Sequence, residues 1–289
     1  MVLPGTVRRG EVESNVSMRV RRIVPWFGFA AVYAFLYAPL LAIAVFAFNN
    51  STIQALPWAG FTTKWFEAIP ADAKLLSSLK FSFAVALAAV LVASLLGTWF
   101  ALVLNERGGR LARTAQAALV VPVVVPGMVL GLSLAITFRS FGLTPGYGTV
   151  VLGHLVFDVP VVTLLVLSRL QRLDPSQAQA AMDLGAGPWR TRLLVVVPQI
   201  RTSVLAAALL TFTLSFDEVI VTFFLVGSQQ TLPIYIWSQT RFGFTPEINA
   251  AVTVIGLVSV VLIVVATLVI ARDIGPAPTD QPEAEESAS

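Results

Sequence analysis

Six long apolar runs, parted by short polar segments, set the pattern of this chain. They cover about 24–48, 79–104, 114–138, 149–169, 203–226 and 248–271. A helix rising 1.5 Å per residue needs roughly 20 apolar residues to cross about 30 Å of hydrocarbon. Each run is long enough. Strands of a lipid-facing barrel would alternate over ~10 residues, whereas these runs are longer and uniformly apolar. The pattern predicts an all-α, polytopic membrane protein with six transmembrane helices.

Composition strengthens this. The 289 residues are 56% hydrophobic and only 12% charged, against about a quarter charged in a soluble domain. The first apolar run follows Arg21-Arg22 and is too long for the 7–15-residue core of a cleaved signal, so it is expected to remain as a spanning helix. Met18 would itself serve as a start, which would make 1–17 an extension. There is no cysteine, hence no disulfide, thiolate metal site or cysteine nucleophile. Of the 19 Lys and Arg residues, all but Lys64, Lys74, Lys80, Arg139 and Arg241 fall on one side of the expected membrane. Positive residues mark the cytoplasmic side, so both termini are expected there. Trp26, Trp58, Trp65 and Trp237 sit near expected interfaces, where indole rings prefer to be. The chain then divides into a cytoplasmic segment 1–23, a membrane domain 24–274, and a tail 275–289 whose Pro, Glu, Ala and Ser predict disorder. The outer segment 49–78, with Trp58, Phe61, Trp65 and Phe66, is either a short interfacial helix or a plain connector.

Charged groups inside a span are costly and face protein or water. His154, Asp158, Asp217 and Glu218 fall in the fourth and fifth runs. His154 and Asp158, four apart, share one helix face and can pair; a polar clamp between helices is the plainer alternative. A lone histidine makes a poor metal site, and no metal is expected. Asp217 and Glu218 fall past the midplane toward the outside. Adjacent helical residues point about 100° apart, so one acid would face a pathway and the other a neighbouring helix. Such carboxylates would stabilise a cationic solute, or alternatively form a salt bridge to a partner subunit. In the third run, Pro122 and Pro126 remove backbone donors and predict a kink. Gly127 and Gly131 permit close helix approach. The proline pair serves packing alone, or a hinge beside a pathway.

Only the polar segment 171–202 carries its own helix signals. Asp174 and Pro175 supply a cap and a first turn, with Gln177 three residues on from the cap. Ala178, Ala181 and Met182 form an apolar stripe at helical spacing. Gly185 suits the left-handed stop after a helix. Gly187-Pro188 starts a second helix carrying Trp189, Arg190 and Arg192, and Pro198 is expected to end it. Two short, partly apolar helices joined by a turn at 185–187, outside the bilayer, need a protein partner to pack against.

Gln179-Ala180-Ala181, Gly185 and Val195-Val196-Val197-Pro198 keep the spacing Glu-Ala-Ala, three residues, glycine, nine residues, Ile-x-Leu-Pro. In this the chain resembles the binding-protein-dependent ABC transporter permeases. It departs from them in carrying glutamine at 179 and valines for Ile and Leu. The resemblance extends over about 75–272. Leu214–Val219, Thr231–Trp237 and Arg241–Ala250 are similar to the spermidine/putrescine permease (PotC-type) subfamily; permeases for opines, amino-acid derivatives and iron share parts of these stretches. The resemblance implies the MetI-like fold of ABC importer permeases in a bacterial inner membrane. It implies that Gln179, Ala180, Ala181, Met182, Asp183, Leu184, Gly185, Trp189 and Pro198 belong to a coupling loop docked in a cleft of an ATPase. It implies as partners a dimer of that ATPase, which uses ATP and Mg, a second homologous permease, and a periplasmic solute-binding protein. The implied cargo is a small cationic solute, a polyamine first, with an opine, an amino-acid derivative or iron as alternatives.

The residues agree with a subunit powered from outside. No G-x-x-x-x-G-K-[ST] phosphate loop occurs, nor a nucleophile elbow, so the chain is expected to be neither an enzyme nor a binder of its own cofactor. Nothing points to nucleic acid. An ion-coupled secondary transporter needs its own ion site at broken helices. The acids of runs four and five permit one, but a cytoplasmic docking loop has no use there.

Overall fold

The computed structural model describes residues 9–53, 56–241 and 245–273; the expected disorder of 275–289 and the start of the N-terminal extension lie outside the described residues. Among the described residues every regular element is helical, with one isolated bridge between Asn49 and Phe61. The chain divides into two compact units.

The smaller unit comprises residues up to 69 and the first part of the last helix. Helix α1 (Arg9–Phe46) leads into a segment that closes on itself and carries a short helix, α2 (Lys64–Ala68). Trp65 explains the closure. Its ring is buried with Ala47 and Ala250 of α12 (Pro246–Asp273). Its Nε1–H donates to the Asn49 carbonyl at 2.9 Å, giving the buried indole the partner it needs. The Asn49 side chain accepts from the Ala59 N–H at 3.0 Å. The choice between helix and connector for this segment thus falls to a short helix.

The larger unit takes in 70–243 and the residues from Val264 on. It contains α3 (Ala73–Arg107), α4 (Gly109–Val124), α5 (Gly127–Ser140) and α6 (Tyr147–Leu170). These are followed by α7 (Ser176–Asp183), α8 (Pro188–Thr191), α9 (Val197–Asp217), α10 (Ile220–Leu225) and α11 (Leu232–Thr240). Its core is built on a stripe of small residues. Ala93, Gly97 and Ala101 recur every four positions along one face of α3, and α6 lies directly on them. A Cβ added at Gly97 would come within 2.7 Å of Val162 and 3.1 Å of the Thr163 backbone. Val162, Val166 and Leu170 of α6, with Ile200 and Ala207 of α9, complete this cluster. A second cluster joins Val85, Val150, Val221, Leu225 and Ile234. Close approach through small residues is how helices gain dispersion contacts where lipid offers no hydrophobic drive.

Four helices among the described residues are long and apolar enough to cross a membrane: Gly28–Phe46, Ala73–Arg107, Tyr147–Leu170 and Pro188–Asp217. The pair α4–α5 makes a fifth if its 100° bend lies within one span. The bend falls at Val125, whose extended backbone (ψ 130°) is what a residue before proline adopts. Pro122 lies inside α4. Gly127 and Gly131 let α5 close on α10: a Cβ at Gly131 would meet the Val221 Cα at 3.0 Å. Two expected boundaries are corrected. The fifth run is not one helix over 203–226; it stops at Asp217 and resumes as α10. Pro198 does not end a helix; it lies in the first turn of α9.

At the other end of α3, Asp72 caps the helix by accepting from the N–H groups of Lys74 and Leu75, both at 3.0 Å. The Tyr235 hydroxyl of α11 donates to its second oxygen at 2.6 Å. Partial burial pushes the Asp72 carboxyl up, but these donors outweigh it and hold the group below the usual carboxylate range. The Leu232 N–H donates to Ser82 Oγ at 2.7 Å, so α11 is fastened to α3 at two points.

Gly97→Leu should separate α3 from α6 and lower stability by about 1–3 kcal/mol, the usual cost of overpacking. The check is thermal unfolding of the detergent-solubilised protein, with Gly148→Ala as the comparison because a Cβ there meets open space. Equal melting temperatures for the two variants would remove the stripe's structural role.

Candidate functional site: an exposed helical turn and an interrupted helix

The segment after α6 folds as α7, a turn and α8. Helix α7 starts one residue later than expected, at Ser176. The Ser176 N–H donates to Asp174 Oδ1 at 2.9 Å, and this bond holds the Asp174 carboxyl below its usual range. The helix ends as its glycine predicts. Gly185 adopts φ +88°, its N–H donates to the Met182 carbonyl at 2.9 Å, and the Ala186 N–H reaches back to the Ala181 carbonyl at 3.0 Å. This pair of bonds is a Schellman stop. Gly187 and Pro188 then open α8. No residue of α7 is buried. Gln179 and Ala180 are exposed and Ala181 half-buried. Around the turn, Leu184 is 90% exposed, Trp189 62% and Met182 45%. Solvated turns seldom gather large apolar side chains in this way.

From Pro188 the chain runs as continuous helix to Asp217, past a proline that should have stopped it. A π turn at Arg192–Val196 is the reason. Pro198 has no N–H to give and its ring would strike the carbonyl four residues back. The wider turn relieves this: the Val197 N–H donates five residues back, to the Arg192 carbonyl, and the Gln199 side chain supplies the Val195 carbonyl at 2.8 Å. Arg192 also grips Glu106 at the end of α3 through two hydrogen bonds, from its Nε and from a terminal nitrogen. Its guanidinium lies 5.9 Å from the Trp189 ring centroid. The exposed turn is therefore fastened to both α3 and α9.

At its far end α9 stops at Asp217. Glu218 is extended (φ −69°, ψ 122°), so the two acids differ in setting because the helix breaks between them, not because of helical phase. Asp217 is exposed. Glu218 turns back, and its Oε1 accepts from the Val221 N–H at 2.7 Å, capping α10. His154 and Asp158 of α6 are both 0% exposed; of the two readings open for them, a mutual pair or a polar clamp between helices, the pair is absent. Instead His154 Nδ1 meets Ser215 Oγ at 2.6 Å and Nε2 meets Thr222 Oγ1 at 2.8 Å. One ring thus bridges the helix before the break to the helix after it, one nitrogen donating and one accepting in the neutral imidazole. Both oxygens of Asp158 lack a hydrogen-bond partner among the described residues, and Glu218 is its charged neighbour. Ser215 and Thr222 were missed in the sequence; the run also carries Ser203, Thr211 and Thr213, and only nearness to the acids set these two apart. Among the described residues no group of three or more His, Asp or Glu is placed to hold a metal ion.

A family model described as the binding-protein-dependent transport system inner membrane component matches residues 93–272. The chain is 34% identical over 244 residues to the spermidine/putrescine transport system permease protein PotC of Escherichia coli K12, covering 84% of this chain and 92% of that protein. It is 36% identical over 239 residues to the putrescine transport system permease protein PotI of the same organism, covering 79% and 84%. Among solved structures, a chain of a bacterial alginate ABC transporter, in complex with a periplasmic protein bound to an alginate pentasaccharide, superposes with TM-score 0.69 at 15% identity, over 90% of this chain and 97% of that one. A chain of the MetNI methionine ABC transporter gives TM-score 0.61 at 17% identity, over 70% and 97%. These two likenesses are of fold, and the fold is that of ABC importer permeases. The family is a membrane component and not an enzyme. With a match over residues 93–272 and relatives at 34–36% identity over most of its length, the chain belongs to the family of inner membrane components of binding-protein-dependent transport systems.

Proposed function

We propose that this chain is a permease subunit of an ATP-driven importer carrying a polyamine, putrescine or spermidine, across the bacterial inner membrane. The observation that carries the reading is the 34–36% identity to two E. coli polyamine permeases over most of both chains. On this reading six spans form from α1, α3, the bent α4–α5 pair, α6, the helix from Pro188 to Asp217, and α12. The arginine distribution puts both termini and the segment 171–202 in the cytoplasm.

The exposed turn is then the docking handle. Gln179, Ala180, Ala181, Met182, Asp183, Leu184, Gly185 and Trp189 enter a cleft of an ATPase dimer, and that partner holds ATP and Mg. The amide of Gln179 serves by hydrogen bonding where relatives of the family use a carboxylate. Closure of the dimer moves the turn. The grip of Arg192 on Glu106 and the continuous helix through Pro198 carry the displacement to α3 and α9. The interruption at Glu218 lies at the far end of α9, about 30 Å away at 1.5 Å per residue, and the break at Val125–Pro126 gives α5 a hinge against α10. A second homologous permease completes the pathway, and a periplasmic solute-binding protein loads it. Asp217 is the carboxylate an ammonium group meets first. Glu218 and the buried Asp158 lie behind it, and His154 holds the two helix ends in register.

Uptake of labelled putrescine and spermidine into proteoliposomes holding the complete transporter tests the substrate; ATP-dependent uptake of neither would sink the polyamine reading. Gly185→Val should abolish ATP-driven uptake at normal membrane levels, because a β-branched residue resists positive φ. Gly185→Asn should keep part of it, since asparagine tolerates that region. Full uptake by the valine variant would refute the docking role. Asp217→Asn should raise the KM for polyamine about tenfold, the factor expected for loss of roughly 1.4 kcal/mol of binding, with assembly intact. Unchanged kinetics would leave Asp217 a structural residue.

A further inference from the structure

We infer that the cavity between the start of α3 and the α10–α11 link is a socket for a carboxylate side chain of the solute-binding partner. The cavity has a volume of about 410 Å³. Helix α3 contributes Lys74, Ser77, Ser78 and Phe81, and the link contributes Gln229 and Gln230. Lys74 is the one charged residue in this lining. The Ser77 hydroxyl is given to the Lys74 carbonyl; the hydroxyls of Ser78 and Ser228 and the glutamine amides add neutral donors, and Phe81 adds apolar surface. One ammonium with convergent neutral donors is the equipment for a carboxylate. A cationic cargo would be repelled by Lys74, so the socket is not a stop on the substrate path.

The walls are fixed before any ligand arrives. The bonds from Leu232 to Ser82 and from Tyr235 to Asp72 fasten α11 to α3 on either side of the lining residues. Gly227, at φ +70°, lets the link turn so close to Pro145 that a Cβ would lie 2.7 Å from its carbonyl oxygen. The acid beside Lys74 is already engaged: Asp72 gives one oxygen to the α3 N–H groups and the other to Tyr235. Asp72 itself is not part of the lining. A preformed site of this kind loses little entropy on binding.

The identity of the occupant rests on the proposed function. In that reading this end of α3 faces away from the cytoplasm, some 50 Å along a 35-residue helix from the end that holds Glu106. The macromolecule met there is the binding protein on which the family depends. A complementary charge at a docking rim acts mainly on encounter and register.

The complete transporter in nanodiscs, titrated with substrate-loaded binding protein while ATP hydrolysis is followed, separates the two claims. Lys74→Glu should raise the half-saturating concentration of binding protein about tenfold at low salt and less at high salt, as expected for a rim charge, with basal hydrolysis unchanged. Lys74→Met, which keeps the stem without the charge, should fall between, and Gln230→Ala should weaken docking a few-fold. An Asp→Lys or Glu→Lys exchange on the binding protein should restore Lys74→Glu. If the wild type is not stimulated at all, the proposed function fails. If it is stimulated and both Lys74 variants stay within twofold of it, the socket is overturned.

Discussion

A backbone N–H or C=O left without a partner in hydrocarbon costs several kcal/mol, and the larger unit is arranged around meeting that demand wherever a helix is interrupted. Among the described residues three interruptions fall in its long apolar elements, and each has its own remedy. At Val125–Pro126 the chain bends away and Pro126 caps the start of α5, where its missing donor is not needed. At Pro198 a π turn and the Gln199 side chain take up the slack. At Glu218 the acid caps the next helix with its own carboxylate while His154 spans the gap. None of these is a defect of packing, since the helices around them are closely fitted through glycine and alanine.

The same remedies tie the ends of the unit together. The exposed turn attaches to the π turn through Arg192, and Asp217 and Glu218 flank the break at the other end of α9. Between them α9 is uninterrupted and packs into the α3–α6 core through Ile200 and Ala207. On the proposed function, displacement of the turn is carried along α9 together with that core.

Much of this was legible in the sequence. The long apolar runs, the Gly185 stop, the proline kink near 126 and the small-residue approach of α5 follow from local rules, because each depends on the residue's own backbone preference or size. The departures have two causes. Pro198 and the Asp217–Glu218 step were read as regular α-helix, and local contacts overrode that: the π turn and Gln199 in one case, the Val221 N–H in the other. For His154 the choice between a pair with Asp158 and a clamp between helices could not be made from spacing. Spacing put both on one face, but hydroxyls from two other helices, 61 and 68 positions further along the chain, took both imidazole nitrogens. No period within α6 could reveal them.

The π turn has a geometric effect beyond rescuing Pro198. It accommodates one more residue than an α turn, and one residue is about 100° of rotation. Every side chain from Val197 onward is therefore turned by that angle relative to a plain continuation of α8. Ser215 meets His154, and Asp217 faces outward, only in this shifted angular phase. A single residue gained or lost near Arg192 would point the end of α9 in another direction while leaving its length, its hydrophobicity and both of its neighbours in the sequence as they are.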